Sequence, residues 1–342
     1  MKTIDLRSDT ITTPCDKMRE AMYRAEVGDD VYGEDPTVNS LEEKAAELLG
    51  KESALYVPSG TQGNLIALLT HCKRGDEVIL EAESHIFMYE VGGMSALGGL
   101  IPRRVQGVRG ALTPESVRAN IRENDIHCPS TGLVCIENTH NRAGGTVISI
   151  AQTRDLRQVA DQHGMPLHLD GARIFNASVA LGRPVSELST PCHSISLCLS
   201  KGLGAPVGSV LLGDSEFIVR ARKVRKMLGG GMRQAGIVAA AGLFALTHNV
   251  ERLSDDHRRA YRLALGLSDL KFELSLESVQ TNIVMANTKR LGVSAPILQE
   301  RLGAVGVKML SMGPDTVRFV THLHVTEQNI DEALARIRGV LS

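Results

Sequence analysis

Four short segments place polar residues with reactive side chains directly after, or shortly after, apolar runs that read as strands. They are residues 59–64 (SGTQGN), 81–85 (EAESH), 167–173 (LHLDGAR) and 199–202 (LSKG). Taken singly, each has an ordinary explanation: a tight turn, a solvated histidine, a structural Asp–Arg pair, and a lysine that extends to solvent. Their chemistry becomes informative when the four are considered together.

The segment 59–64 suits a phosphate group. It follows a predicted strand and opens a predicted helix, where backbone N–H groups and the helix dipole favour an anion. Thr61 adds a hydroxyl donor. The segment is neither a GxGxxG nor a Walker A motif, so it does not indicate a dinucleotide or a nucleoside triphosphate.

Asp170 and Lys201 are charged residues at the ends of apolar runs. A buried carboxylate needs a cationic partner or strong hydrogen bonds, and a desolvated lysine forms imines readily. His85 adds an imidazole that could act as a base or as a stacking platform. A phosphate cradle, a planar neighbour, a buried carboxylate and an imine-forming lysine together hold pyridoxal 5′-phosphate. We therefore predict this cofactor, with Lys201 forming a Schiff base to its aldehyde and Asp170 keeping its ring nitrogen protonated.

Seven longer segments, spread in order along nearly the whole chain, resemble the low-specificity L-threonine aldolases, within the fold-type I pyridoxal-phosphate enzymes. They are residues 6–10 (LRSDT), 27–36 (VGDDVYGEDP), 58–64 (PSGTQGN), 137–142 (ENTHNR), 168–176 (HLDGARIFN), 199–209 (LSKGLGAPVGS) and 225–236 (RKMLGGGMRQAG). The resemblance implies a lyase that cleaves L-threonine or L-allo-threonine to glycine and acetaldehyde.

Two alternatives remain at this point. One is another reaction on the same cofactor, such as β-elimination or transamination, which would use the same cradle, aspartate and lysine. The other is a regulatory protein on this fold without the catalytic chemistry, which the presence of Lys201 argues against. Many functions share one scaffold, so the fold alone does not decide between them.

The resemblance also implies roles for individual residues. Lys201 would form the Schiff base, Asp170 would pair with the ring nitrogen, and His85 would stack on the ring and move protons. The other implied residues are Gly60 and Thr61 at the phosphate, Arg173 near the ring hydroxyl and substrate carboxylate, Ser8 and Arg318 at that carboxylate, His127 near the substrate hydroxyl, and Tyr32, Lys226 and Arg233 reaching the site or its phosphate from a neighbouring subunit. His85 and His127 are the candidate acid–base groups, and the last three residues imply a homotetramer, a dimer of dimers.

The elements that must position these residues follow an α/β pattern. Short, nearly continuous apolar runs alternate with helical patterns, which indicates a mostly parallel sheet with helices on both faces. The predicted strands are residues 52–57, 77–80, 132–136, 165–169, 194–199 and 207–212. In such a sheet ligands bind at the carboxyl ends of the strands, where the four reactive segments lie.

The pattern of predicted elements changes after a glycine run at residues 229–231. Two predicted helices, residues 234–246 and 250–267, lead into four short predicted strands and two further helices. The strands are residues 272–276, 282–286, 307–310 and 317–321, and the helices are residues 295–302 and 327–341. We predict a large cofactor-binding domain over residues 1–249 and a small α+β domain over residues 250–342, against which the N-terminal arm could pack.

The composition argues against several other classes of protein. There are 38 Lys and Arg residues against 39 Asp and Glu, and aromatic residues make up 3% with no Trp, so a nucleic-acid partner is not expected. No apolar run has the length of a membrane span, and the first residues lack a signal-peptide core. Six scattered cysteines without a CxxC pair predict no metal site and favour the cytoplasm.

Overall fold

A computed structural model describes residues 2–342 and contains twelve strands and fourteen α-helices within that range. The strands are β1 (Ile4–Asp5), β2 (Ser53–Val57), β3 (Glu77–Glu81), β4 (Ile101–Val105), β5 (Thr131–Glu137), β6 (Leu167–Gly171), β7 (Ser194–Cys198), β8 (Ser209–Gly213), β9 (Ile283–Asn287), β10 (Val307–Lys308), β11 (Leu310–Ser311) and β12 (Thr316–Val320). The α-helices are α1 (Asp16–Tyr23), α2 (Pro36–Leu49), α3 (Gly60–His71), α4 (His85–Met88), α5 (Gly93–Ala96), α6 (Pro114–Arg118), α7 (Ile150–Gln162), α8 (Ile174–Leu181), α9 (Val185–Ser189), α10 (Ser215–Met227), α11 (Gly236–His248), α12 (Leu253–Asp269), α13 (Ala295–Ala304) and α14 (Glu327–Leu341). Short 3₁₀ turns cover Asp9–Ile11, Asp30–Tyr32, Leu276–Ser278 and Lys289–Leu291.

The central sheet has seven strands in the order β2-β8-β7-β6-β5-β3-β4. Strands β4, β3, β5, β6 and β7 run parallel, and β8 lies antiparallel to both β7 and β2. Strands β3, β6, β7 and β8 are buried along their whole length, which accounts for their continuous apolar runs. The predicted α/β class and mostly parallel sheet are confirmed.

One strand of this sheet was not predicted. Strand β4 has the sequence IPRRV, and it is exposed or half-buried at four of its five positions because it forms the edge of the sheet. Pro102 and two arginines are tolerated at an edge, where one side of the strand needs no ladder partner. The apolar pattern that identifies the buried strands is therefore missing here.

A second, smaller sheet is built from the C-terminal part of the chain. Strands β11, β12 and β9 form an antiparallel sheet, while β1 of the N-terminal arm pairs in parallel with β10. Ile4 and Leu6 of the arm belong to the same hydrophobic cluster as Leu298 and Phe319. The arm thus packs on the C-terminal layer, and β1 leads directly to Ser8 and Asp9.

Two of the predicted C-terminal strands are wrong in detail. Within residues 272–276, Glu273 forms an isolated bridge with Asn287, and the chain then turns into the 3₁₀ segment Leu276–Ser278. The predicted strand at residues 307–310 divides into β10, which pairs with the arm, and β11, which pairs with β12. Each half has a different partner, so one continuous ladder cannot form.

All six cysteines are free thiols in this structure. In the part of the chain that the structure describes, no helix combines the length and apolar character that crossing a membrane requires.

Candidate active site

A cavity of about 240 Å³ lies where the carboxyl edge of the central sheet meets the N-terminal arm and the C-terminal sheet. Five of the predicted site residues line it. The lining residues are Ser8, Thr10, His85, Tyr89, Asn141, Arg173, Lys201, Leu310, Met312 and Arg318. Lys201 follows β7 and is held by its main chain, since its carbonyl oxygen accepts a 2.8 Å hydrogen bond from the Thr12 hydroxyl.

Asp170 is the buried carboxylate beside this cavity, with 2% of its surface exposed. Its Oδ2 accepts a hydrogen bond from Asn64 Nδ2 at 2.9 Å, and its Oδ1 accepts one from the Ala172 N–H at 3.1 Å. Side-chain oxygens or nitrogens of Asp170, Glu90 and His85 lie within 4.8 Å of one another. The predicted carboxylate and the predicted ring-face histidine are therefore neighbours.

His85 opens α4, and its ring centroid lies 5.4 Å from that of Tyr89. Its Nδ1 is 3.1 Å from Glu90 Oε1. Burial lowers the pKa of His85, but the hydrogen bond to Glu90 and the charge of Asp170 outweigh burial and raise that pKa overall. The pKa of Glu90 is also raised, in this case because burial disfavours the ionised carboxylate more than the hydrogen bonds to His85 and Asn64 favour it.

Glu137, at the end of β5, ties two sides of the cavity together. Its Oε2 accepts the backbone N–H of His85 at 2.7 Å, and its Oε1 accepts that of Asn141 at 2.9 Å. Asn141 Oδ1 in turn accepts a 2.9 Å hydrogen bond from Arg318. One buried carboxylate therefore sets the positions of both a histidine and an arginine of the cavity.

Arg173 is bound through two of its nitrogens by another buried carboxylate, Asp9. Its Nε and one terminal nitrogen each donate a 2.7 Å hydrogen bond to Asp9, whose exposed fraction is 0%. Although burial opposes ionisation of Asp9, the Arg173 guanidinium, its hydrogen bonds and the Lys201 charge hold the pKa of that carboxyl well below its usual range. The Asn282 side chain donates to the same carboxylate at 3.1 Å. Arg173 is thus a neutralised cation at the cavity wall.

Arg318 lies in a contrasting environment. It is 7% exposed and donates to Asn141 Oδ1 at 2.9 Å and to the Arg7 carbonyl at 3.2 Å. Within residues 2–342 no carboxylate forms an ion pair with it, and its buried Nε has no hydrogen-bond partner. Burial and the nearby charge of Arg173 both lower its pKa. The guanidinium group of arginine forms strong, charge-assisted hydrogen bonds with carboxylates, so this arginine has the chemistry to bind one.

The start of α3 has the features expected of a phosphate cradle. Ser59 caps the helix by accepting the Gln62 N–H, and the first N–H groups of the helix, at Gly60 and Thr61, have no partner within the helix. A methyl group at Gly60 would lie 3.5 Å from Ser209 Oγ. That hydroxyl is buried and has no hydrogen-bond partner among the described residues. Gly60 and Ser209 are thus neighbours at the start of α3.

Seven predicted residues do not line this cavity: Asp170, Gly60 and Thr61, described above, and four that are exposed on their own chain. His127 is exposed in the loop before β5, and a seven-residue strand places it about 20 Å from the carboxyl edge at 3.3 Å per residue. Tyr32 is 76% exposed, and Arg233 is exposed and pairs with Asp29 at 3.2 Å. Lys226 lines a separate cavity of about 670 Å³ between α2 and α10. This chain by itself does not bring these four to Lys201.

Sequence reasoning missed several polar residues that hold the site. Asp9, Asn64, Glu137 and Ser209 all stand inside the segments that carry the family resemblance, so the signal was present in those segments. Glu90 stands outside all of them. Its only signal is its position five residues after His85, which does not by itself indicate a contact.

Comparisons with known proteins agree with this geometry. A family model described as "Beta-eliminating lyase" matches residues 5–290. "Low-specificity L-threonine aldolase 1" from Arabidopsis thaliana is 46% identical over 343 residues, covering 98% of this chain and 95% of that protein. "Low specificity L-threonine aldolase" from Escherichia coli O157:H7 is 45% identical and covers 99% of both chains.

A solved structure of Leishmania major threonine aldolase superposes with a TM-score of 0.85 and covers 99% of both chains. Its sequence is 20% identical to this one, so the superposition shows the shared fold alone. The family resemblance and the fold class predicted from the sequence are both confirmed by these comparisons.

Proposed function

Because the chain belongs to the beta-eliminating lyase family, we propose that it is a pyridoxal-phosphate-dependent L-threonine aldolase, which cleaves L-threonine and L-allo-threonine to glycine and acetaldehyde. The observation that carries the proposal is one cavity that combines a lysine with a buried arginine lacking an anionic partner among the described residues. Relatives of 45–46% identity that carry the aldolase name support the same conclusion.

The residues present fit the proposed cofactor. The unpartnered Ser209 hydroxyl, which lies beside Gly60, and the first N–H groups of α3 suit its phosphate. Asp170, which accepts hydrogen bonds from Asn64 and Ala172, is suited to the ring nitrogen. Lys201 would hold the cofactor covalently. When bound, the cofactor supplies an electron sink for the bond that breaks at Cα.

The other cavity residues would bind and orient the substrate. Arg318, which lines the cavity and pairs with no carboxylate among the described residues, is suited to bind the α-carboxylate, and Ser8, which lines the same cavity, offers a hydroxyl to that group. Arg173 is already neutralised by Asp9, so we propose that it contributes its remaining donor rather than its full charge. The predicted role of Arg173 at the carboxylate is thereby secondary to that of Arg318.

His85 is the acid–base group within reach of the cavity. Its pKa is raised by Glu90 and Asp170, and its ring lines the space that the substrate would enter. An imidazole with a pKa near the working pH can take a proton from the β-hydroxyl and later return it. Tyr89 and Met312, which line the same space, would limit access of water.

We also propose that the active unit contains more than one copy of the chain, as a homotetramer. Tyr32, Lys226 and Arg233 are exposed at sites away from their own cavity, as residues that act on a neighbouring subunit would be. A role for His127 at the substrate hydroxyl likewise requires a second copy. Sedimentation of a fully active monomer at assay concentration would refute this. The six free cysteines are consistent with a reducing compartment such as the cytoplasm.

Product analysis tests the proposed function directly. Purified protein supplied with pyridoxal 5′-phosphate and L-allo-threonine, and separately with L-threonine, should release glycine and acetaldehyde in equal amounts. Release of 2-oxobutanoate and ammonia would instead identify β-elimination and would overturn the proposal.

A further inference from the structure

A buried hydrogen-bond network lies next to the cavity, and Asn64 of α3 is its centre. Asn64 Nδ2 donates to Glu90 Oε1 at 2.8 Å and to Asp170 Oδ2 at 2.9 Å. Both partners are carboxylates, which accept hydrogen bonds when ionised, so the amide nitrogen and not its oxygen must face them. The orientation of the Asn64 side chain is therefore fixed by its partners.

This orientation of Asn64 then determines which group donates and which accepts in each of the remaining hydrogen bonds. Asn64 Oδ1 lies 3.3 Å from His168 Nε2, His168 Nδ1 lies 2.8 Å from the Ser194 hydroxyl, and that hydroxyl lies 2.8 Å from His71 Nε2. Burial lowers the pKa of His168 to about 4 and that of His71 to about 3, so each ring carries one proton at neutral pH. His168 must donate from Nε2 and accept at Nδ1.

Every donor in this series thus points toward Glu90 and Asp170. Ser194 donates to His168, His168 donates to Asn64, and Asn64 donates to the two carboxylates. The arrangement stabilises both carboxylates as hydrogen-bond acceptors.

Glu90 has one further partner, and it is the histidine of the cavity. The Glu90 oxygen that accepts from Asn64 is also 3.1 Å from His85 Nδ1, and Glu90 is 6% exposed. An accepting oxygen at this distance requires the proton of neutral His85 to reside on Nδ1. The lone pair of the ring is then on Nε2, the nitrogen not engaged by Glu90.

We propose that Glu90 is a positioning residue for the reaction: it keeps the His85 proton on Nδ1 and thereby leaves Nε2 free to accept the proton of the substrate β-hydroxyl. This inference rests on the proposed function for the identity of the substrate. The O–H proton moves to Nε2, the oxygen electron pair forms the C=O bond of acetaldehyde, and the Cα–Cβ bond breaks. The electron pair of that bond remains with Cα until the proton returns there, which gives glycine.

The charged groups that face His85 set the expected pH dependence. Glu90 from the following turn and Asp170 from β6 favour its protonated form, whereas Lys201 after β7 disfavours it. Replacing Glu90 by Gln removes one of the two favourable charges, so the pKa of His85 should fall. Gln can also present its N–H₂ group to Nδ1, which would move the ring proton to Nε2.

The test compares Glu90→Gln with Glu83→Gln, a half-exposed carboxylate of the same loop that pairs with Arg142. In Glu90→Gln we expect kcat to fall by about tenfold or more, since general acid–base catalysis contributes about 10²–10⁴-fold. KM should change little, and the acid limb of the kcat profile should move to lower pH. Glu83→Gln should leave kcat, KM and the position of the acid limb unchanged.

Two further measurements separate a positioning role from a merely structural one. The imidazole resonance of His85, assigned by its loss in His85→Asn, should titrate at lower pH in Glu90→Gln, in the full chain with or without cofactor. Adding Glu90→Gln to His85→Asn should cause no further loss of kcat.

The outcomes of this test and of the product test are distinct. An unchanged His85 titration together with an unmoved acid limb would overturn the inference, even in an active aldolase. Additive losses of kcat in the double variant would overturn it as well. If neither glycine nor acetaldehyde forms, the proposed function fails, while the His85 titration still decides whether Glu90 controls that ring.

Discussion

Asp9 and Arg173 form a two-point ion pair whose hydrogen bonds both measure 2.7 Å and which is almost completely buried. The two residues are 164 positions apart, one in the N-terminal arm and one after β6. Asn282, beside β9, binds the same carboxylate at 3.1 Å. The Asp9 carboxylate therefore joins three parts of the chain at the wall of the cavity.

An exposed ion pair with the same two-point geometry provides a control for the buried one, and the two should differ in their contribution to stability. Arg262 also binds Asp331 through two bonds, of 2.7 and 2.8 Å, but both residues are about half exposed. Asp9→Asn should lower the free energy of unfolding by about 3–5 kcal/mol, because it leaves a buried guanidinium without its anion. Asp331→Asn should lower it far less, because water screens the charges of an exposed pair. Urea unfolding of the cofactor-free chains measures both, and equal losses would contradict this account.

The same carboxylate predicts a component of acid unfolding. The pKa of Asp9 is lowered in the folded chain, so its stabilising contribution is present above the unfolded pKa of about 3.9. That contribution is lost as the pH falls below this value toward the folded pKa. Between pH 5 and pH 2, the free energy of unfolding of Asp9→Asn should therefore fall less steeply than that of the wild type. If the free energies of unfolding of the two proteins fall in parallel over this pH range, Asp9 does not contribute to the acid unfolding.

Arg318→Ala should weaken substrate binding without disturbing the cofactor. Loss of a buried charged partner costs about 2–5 kcal/mol, which corresponds to a rise in KM of about 30-fold to several thousandfold. The visible absorbance of the bound cofactor should be unchanged. Arg290→Ala, an exposed arginine of the same C-terminal sheet region that pairs with Glu273, is the control and should leave KM unchanged. An unaltered KM in Arg318→Ala would remove this residue from the substrate site.

Ser209→Ala should weaken binding of the cofactor without lowering the stability of the cofactor-free protein. Because the buried hydroxyl has no partner among the described residues, its removal should not destabilise the cofactor-free chain. A hydrogen bond to a charged group contributes about 1.5–3 kcal/mol, so the Kd of pyridoxal 5′-phosphate should rise about 10- to 150-fold. Equilibrium dialysis and urea unfolding give the two values. An unchanged Kd would place the phosphate elsewhere.

The sequence was a good guide to the buried part of the sheet. Strands β3, β6 and β7 are apolar along their length because both faces are covered, so their positions could be predicted within two residues. Strand β4 could not be predicted in this way, since an edge strand that carries arginines lacks that pattern. The error at residues 272–276 has a related cause: local alternation of apolar residues does not reveal whether a partner strand is present.

The charged residues at strand ends were predicted for a physical reason, while their partners were not. Asp170 and Lys201 stand out because a charge at the end of an apolar run needs compensation. The partner of Arg173 is 164 residues away, and only the folded chain brings Asp9 to it. The Asn64–Glu90 contact likewise joins α3 to a separate turn. Such long-range contacts are set by tertiary packing rather than by local sequence.

The central claim is that Lys201 holds the cofactor and supports cleavage at the same site. A matched comparison uses Lys51, a second half-buried lysine, which donates to the Cys192 carbonyl and whose pKa is lowered by burial. Lys201→Met should lose both the visible absorbance of the bound cofactor and the release of acetaldehyde from L-allo-threonine, whereas Lys51→Met should retain both. A Lys201→Met protein that keeps the absorbance and the aldehyde release would contradict the account.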